Sequence, residues 1–216
     1  MSIITALQAM ENIDTDKYEI IPIYITKDLV WYSSGCLKYI DSFNNYNLIE
    51  KYATKVNLVN KKGRFILQTT GLFKRELTEL HLAFPIMHGE YGEDGRIQSL
   101  FELLNIKCVG VDSASASLCM DKHLCKCIAE SALIPTSPYI VLRRGEYSLE
   151  EIKEEIGKSF DLFVKPSRGG SSVGISHIRK RRELKGALER AFAVCDTVLI
   201  EQAVLGQECE VAILEN

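Results

Sequence analysis

Apolar residues recur at Ile3, Leu7 and Met10, a spacing that predicts an amphipathic helix at the start of the chain. The polar stretch from Asn12 to Asp16 ends it. Residues 18–25 form an apolar run that predicts a strand, with Pro22 pointing to an edge or a bulge. Val30-Trp31-Tyr32 predicts a second short strand. The signal over residues 33–79 is mixed, except that residues 56–59 and 65–67 pair naturally as a hairpin across Asn60-Lys61-Lys62-Gly63.

The pattern sharpens further on. Residues 82–87 read as a buried strand ending at His88-Gly89. Asp94-Gly95 then precedes a helix carrying Ile97, Leu100, Phe101 and Leu104, and residues 107–110 read as the next strand. Strand, loop, helix and strand in that order predict a parallel β/α unit. Ligands gather at the carboxyl ends of such strands, which puts His88 and the loop from Gly89 to Gly95 at the edge of a site. Beyond Asp112 the pattern changes. Helix is predicted over about 113–132, 149–156 and 183–194, with Pro135 and Pro138 marking a connection. Strands are predicted at 139–142, 162–165, 175–178, 197–201 and 208–214. Their density and hairpin-like links predict an α+β unit with an antiparallel sheet. The domain boundary is expected near 111–120, giving domains 1–112 and 113–216.

Composition narrows the class. The chain has 216 residues, 46% hydrophobic and 25% charged, which is ordinary for a soluble globular protein. A net charge of −3 argues against a general nucleic-acid binder. No apolar run approaches the length that spans a bilayer, and the first residues lack the basic start and long apolar core of a signal peptide. A cytoplasmic protein without membrane partners is the expectation. Seven cysteines, an odd number at irregular spacing, do not suggest a disulfide framework. Cys119, Cys125 and Cys127 lie near His123, but their spacing matches no zinc pattern and the segment reads as helix. Reduced thiols are expected there.

The chemistry concentrates in Lys165-Pro166-Ser167-Arg168-Gly169-Gly170-Ser171-Ser172-Val173-Gly174, which follows the apolar run Leu162-Phe163-Val164. A lysine at a strand end followed by a Gly/Ser loop suits a polyphosphate, because glycines let backbone N–H groups approach oxygens and the ammonium adds a point charge. This is no Walker A motif, since the lysine precedes the glycines. Taken alone, the loop reads equally well as a surface turn. Val198-Leu199-Ile200-Glu201 predicts a buried strand ending in a carboxylate, with Glu208 seven residues later. Backbone groups at Gln202, Ala203 and Val204 suit the edge of an adenine, Glu201 its amine and Glu208 a ribose. Two solvated glutamates on a hairpin are the plain alternative.

Taken together, Phe163-Val164-Lys165-Pro166, the Gly-Ser-Ser-Val-Gly run and Val198-Leu199-Ile200-Glu201 with Glu208 resemble an ATP-grasp domain. With Leu118-Cys119-Met120-Asp121-Lys122, His88-Gly89 and Gly92-Glu93-Asp94-Gly95, the chain resembles the D-alanine–D-alanine ligase family, which includes D-alanine–D-serine and D-alanine–D-lactate ligases. The resemblance implies an α/β N-terminal parallel-sheet domain followed by an α+β ATP-grasp subdomain. It implies that Lys122 and Lys165 bind ATP phosphates and that Ser171 and Ser172 lie in the loop closing over them, with Ser171 tying that loop into the active site. Glu201, Gln202, Ala203 and Val204 form the adenine hinge, Glu208 holds the ribose and His88 sits near the first amino acid. The implied reaction activates one D-alanine carboxylate as an acyl phosphate, which the amine of a second D-amino acid attacks. D-alanine and D-serine are the implied substrates, and the family commonly forms homodimers.

The sequence also departs from the family. Its first strand and Gly-rich turn precede the point where this chain starts, and the chain stops early in the ATP-grasp fold. The Asp/Glu/Asn ligands for Mg2+ or Mn2+, the supporting arginine and the second-substrate pocket have no counterpart here. Gly169 stands where many members have an acidic residue. The chain is therefore expected to be incomplete at both ends and to lack ligase activity by itself. A non-catalytic ATP-binding module is one competing reading. Another ATP-grasp carboxylate–amine ligase is a second, against which the His88-Gly89 and Gly92-Glu93-Asp94-Gly95 pair argues.

Overall fold

The computed structural model describes residues 1–156 and 160–213. The chain divides into two compact units, Met1–Ser117 and Leu118–Asn216. In the first, helix α1 (Ser2–Asn12) follows the predicted spacing, yet none of its residues is buried. Strands β1 (Ile23–Ile25) and β2 (Trp31–Ser33), helix α2 (Tyr46–Tyr52) and strands β3 (Thr54–Lys61), β4 (Arg64–Thr69) and β5 (Glu76–Leu80) come next. The five strands form one antiparallel sheet in the order β1-β2-β3-β4-β5. The β3–β4 turn has Lys62 at φ 55° and Gly63 at φ 84°. Two successive left-handed residues make the type I′ turn that matches strand twist, which is why a glycine closes this hairpin.

Strand β6 (Leu82–Ala83), helix α3 (Arg96–Leu103) and strand β7 (Lys107–Cys108) form the parallel β/α unit read from the sequence. Phe65, Ile97, Phe101 and Ile106 are its buried centre, with Trp31 and Met87 packed against them. Gly92 and Gly95 have steric work to do. A Cβ at Gly92 would lie 2.4 Å from Met87 Cβ, and one at Gly95 would lie 2.4 Å from the Ser113 carbonyl oxygen. A cavity of about 940 Å3 opens in this unit, walled by Ile3, Leu7 and Met10 of α1, by Ile21 and Trp31, and by Phe84. Helix α4 (Ser113–Met120) contains the division between the units.

The second unit comprises helix α5 (Lys122–Ser131), strand β8 (Tyr139–Arg143), helix α6 (Leu149–Ile156), strands β9 (Leu162–Pro166) and β10 (Ser176–Ile178), helix α7 (Leu184–Phe192) and strand β11 (Thr197–Gln202). Its antiparallel sheet runs β10-β9-β11-β8, as the strand density implied. Helix α7 buries Leu184, Ala187, Leu188 and Ala191, the one-face spacing of an amphipathic helix. They pack with Leu162, Val164, Val198 and Ile200 of the two central strands.

Several elements are shorter than their apolar runs. Only residues 23–25 of the 18–25 run form ladder bonds. The predicted buried strand over 82–87 is reduced to Leu82–Ala83, because only these two residues pair with β7, and Leu82 and Phe84 are exposed. The 107–110 strand likewise stops at Cys108. Residues 208–213 form no strand, and Leu214 lies outside the described residues. Strand β5 has weak intrinsic signal and exists through its pairing with β4 across a bulge at Leu67/Gln68. No helix among the described residues is long and apolar enough to cross a membrane.

Candidate functional site

The strand registers of the second unit put its charged residues on one face. Glu201 on β11 lies opposite Phe163 on β9 and Tyr139 on β8, while Lys165 lies opposite Leu199. Side chains alternate across a strand, so Val198 and Ile200 enter the core under α7 whereas Leu199 and Glu201 point to the other face. There Lys165 Nζ meets Glu201 Oε2 at 2.6 Å, a diagonal cross-strand pair. Lys126 Nζ, from α5, approaches Glu201 Oε1 at 3.7 Å. Each ammonium lies over an aromatic ring, Lys165 over Phe163 at 5.2 Å and Lys126 over Tyr139 at 4.9 Å. Glu201 is only 6% exposed, so both cations compensate a largely desolvated carboxylate.

Asp121 fixes the start of α5. Its Oδ1 accepts from the His123 and Leu124 amides, the arrangement of a helix N-cap. The same carboxylate accepts from Ser167 Oγ at 2.5 Å and from Arg168 Nε at 2.9 Å. The Lys122 amide donates to the Ser167 carbonyl at 2.8 Å. Helix α5 is thus fastened to the loop that leaves β9, and Lys122 Nζ reaches the Gly169 carbonyl at 2.8 Å. Burial pushes the Asp121 carboxyl upward, but the bonds from Ser167, Arg168 and Leu124 together hold it below the usual aspartate value. Burial and then the Lys165 charge push the Lys122 ammonium below the usual lysine value, against opposing pulls from Glu201 and Asp121.

The loop that follows is left-handed at Gly169, Ser171, Ser172 and Gly174, with φ of 114°, 50°, 59° and 76°. Two consecutive serines in that region are uncommon, because a Cβ crowds the following carbonyl. Such sequences turn successive N–H groups to one side, a concavity suited to anion oxygens. Gly174 is required twice over, since a Cβ there would also lie 2.8 Å from Val194 Cγ2. Ser171 and Ser172 are exposed.

The structure brings Lys122, Lys165, Glu201 and the 169–174 loop to one end of one sheet. At the predicted hinge, the Gln202 amide is bonded to the Pro138 carbonyl and the Ala203 amide to the Asp161 carbonyl, both at 2.9 Å. Val204, 74% exposed, carries the hinge amide still open to a ligand among the described residues. Glu208 lies in the exposed segment without ladder bonds. His88 belongs to the first unit, where its Nε2 pairs with Thr5 Oγ1 at 3.1 Å and its amide donates to Ser2 Oγ at 3.0 Å. Its Nδ1 faces Glu93 at 3.6 Å. Among the described residues no group of three or more His, Cys, Asp or Glu side chains is arranged to hold a metal ion.

Three contributors escaped the sequence reading. Asp121 had a visible signal, an aspartate immediately ahead of a helix. Lys126 had one too, four residues after Lys122 and hence on the same helical face. Ser167, fully buried, had none, because its role depends on Asp121 arriving from 46 positions away.

Two families of known proteins match parts of the chain. A family described as D-ala D-ala ligase N-terminus matches residues 1–111, and one described as D-ala D-ala ligase C-terminus matches residues 128–216. The D-alanine--D-alanine ligase of Clostridium novyi is 38% identical over 223 aligned positions, covering all of this chain and 60% of the relative. The D-alanine--D-alanine ligase B of Clostridium tetani is 39% identical, over 96% of this chain and 55% of its own length. Among solved structures, the D-alanine-D-alanine ligase of Coxiella burnetii superposes with a TM-score of 0.84 at 27% identity, over 95% of this chain and 57% of that one. The VanG D-Ala:D-Ser ligase of Enterococcus faecalis gives 0.79 at 32% identity, over 94% of this chain and 58% of that one. The chain spans about 60% of the length of the curated relatives it matches.

Proposed function

The chain belongs to the D-alanine–D-alanine ligase family, and from that membership we propose that its second unit binds ATP and that the whole protein joins two D-amino acids for peptidoglycan precursor synthesis. The observation that carries this reading is the Lys122 ammonium on the Gly169 carbonyl, at the head of the left-handed 169–174 loop that follows the strand of Lys165. The Lys165 charge adds to burial in pushing the Lys122 ammonium down, and a polyanion beside it would relieve that.

In this reading Lys122 and Lys165 hold the phosphates, and the hydroxyls of Ser171 and Ser172 add donors as their loop closes. The Val204 amide and Glu201 address the adenine, with Gln202 and Ala203 shaping the hinge through their own bonds. Glu208 takes the ribose, and His88 stands near the first D-alanine. ATP supplies the phosphoryl group that activates the carboxylate. The chain's part is to orient that group, to stabilise developing negative charge with preorganised cations, and to exclude water beneath the loop. D-alanine is the substrate named for the relatives, and D-serine enters through the Enterococcus enzyme's name. A cytoplasmic location goes with this role.

Among the described residues no cluster of three or more His, Cys, Asp or Glu side chains stands ready for Mg2+ or Mn2+. ATP binding without ligation is the activity proposed for this chain on its own. Isothermal titration of the 216-residue chain with ATP tests it. Binding is expected, weakened about tenfold or more by Lys165→Ala or Lys122→Ala, since each removes a charge-assisted phosphate contact. No heat of binding with the wild-type chain would sink the proposal. Formation of D-alanyl-D-alanine by the purified chain would sink the restriction to binding.

A further inference from the structure

Glu201 is shared between two lysines whose surroundings differ. Lys165 makes the short contact at 2.6 Å and is the more exposed, its side chain 25% accessible against 14% for Lys126. Lys126 is anchored on the other side. Its Nζ donates to Ser137 Oγ at 2.9 Å and to the Ser137 carbonyl at 3.2 Å, bonds that Lys165 has no counterpart for among the described residues. That leaves Lys126 on a fixed perch and Lys165 as the partner free to turn away.

We propose that Lys126 is a positioning residue, which holds Glu201 as a standing counter-charge and so releases Lys165 to a phosphate. The inference rests on the ATP-binding reading and deepens it. A buried carboxylate that loses its only partner is strongly disfavoured, so without a second cation Lys165 would be trapped at Glu201. With Lys126 in place, Lys165 leaves Glu201 oriented and compensated. The 3.7 Å separation of Lys126 from Glu201 leaves room for that pair to tighten as Lys165 departs. Lys126 itself touches no ligand atom in this scheme.

The test is a double-mutant cycle on ATP affinity in the full chain, with thermal unfolding followed by far-ultraviolet circular dichroism in the absence of nucleotide. Lys126→Met is expected to fold and melt close to wild type without ATP, because Lys165 still covers Glu201. Its ATP affinity should fall about tenfold or more. Lys126→Arg, which keeps the charge, should restore affinity to within about threefold. In a Glu201→Gln background, Lys126→Met should change affinity little, since the charge it serves is gone. An equal loss in that background would overturn the proposal. So would an unfolded Lys126→Met, which would make the residue structural, and so would unchanged ATP affinity in that variant. Lys126→Gln, which keeps a donor for the Ser137 carbonyl but carries no charge, must behave as Lys126→Met. If it binds ATP like wild type, the charge is irrelevant and the inference fails. Failure of wild type to bind ATP would instead refute the function proposed above, so the two failures are distinguishable.

Discussion

In the second unit Val164, Leu184, Ala187, Ala191 and Val198 have no accessible surface, all gathered between one helix and two central strands. In the first unit the apolar side of α1 buries no residue and faces a cavity of about 940 Å3, and the buried side chains are divided between two small clusters and a few residues outside both, among them Val56, Ile66 and Leu67. Both units carry regular elements and ordinary apolar content. The difference lies in closure, since a sheet with a helix laid fully across it excludes water and one with an open slot does not. The site residues belong mainly to the closed unit, where strand register can hold Glu201 and Lys165 to fixed neighbours.

Core truncation should break this comparison most visibly. Leu188→Ala on α7, where Leu188 is 1% exposed, should destabilise the second unit by about 2–5 kcal/mol through lost burial and the cavity left behind. Leu7→Ala on α1 should cost less than about 1 kcal/mol, because that side chain already borders open space. Urea unfolding of the two variants measures both, and equal losses would show that the cavity wall is packed as tightly as the core.

Asp121→Ala ranks next. It removes the α5 cap and strands the buried Ser167 hydroxyl, for about 2 kcal/mol. The pH dependence has a definite sign. The folded carboxyl titrates below the ordinary value of 3.8, so its contribution is fully present above 3.8 and is lost as pH falls through the lower folded value. Asp121→Asn should therefore flatten the acid limb of a melting-temperature profile. A wild-type profile already flat from pH 5 to about pH 2 would contradict the linkage.

Much of this was legible along the chain, and the reasons are local. Helix α6 runs from Leu149 to Ile156 as its spacing required, and the Lys62-Gly63 turn follows from residues adjacent in sequence. The Lys165 loop and Glu201 were found by motif order. Strand lengths at residues 18–25 and 82–87 were not legible, because ladder bonds depend on partners that periodicity does not specify. Asp121, Ser167 and Lys126 were missed for a related reason. Their roles lie in contacts between an α-helix and a loop or strand far along the chain, and no short motif states those contacts.

The smallest effects come from glycines, with opposite signs in the two units. Gly63→Ala forces a Cβ onto a left-handed turn and should cost the first unit about 1 kcal/mol. Gly186, inside α7, meets only the mobile end of Arg190 at 3.4 Å, so Gly186→Ala should stabilise the second unit by about 0.5–1 kcal/mol. Chemical denaturation decides both. A stabilising Gly63→Ala would remove the type I′ turn from the account.

The cavity has one more consequence, which is optical. The chain has a single tryptophan, Trp31, and it stands on the cavity wall in the first unit. Indole emission is therefore a private signal of that unit, sensitive to whatever enters the slot and blind to the sheet that carries the lysines. Amide ellipticity averages over both units. Denaturation curves from the two probes need not coincide, and their separation would read out how independently the halves of the chain come apart.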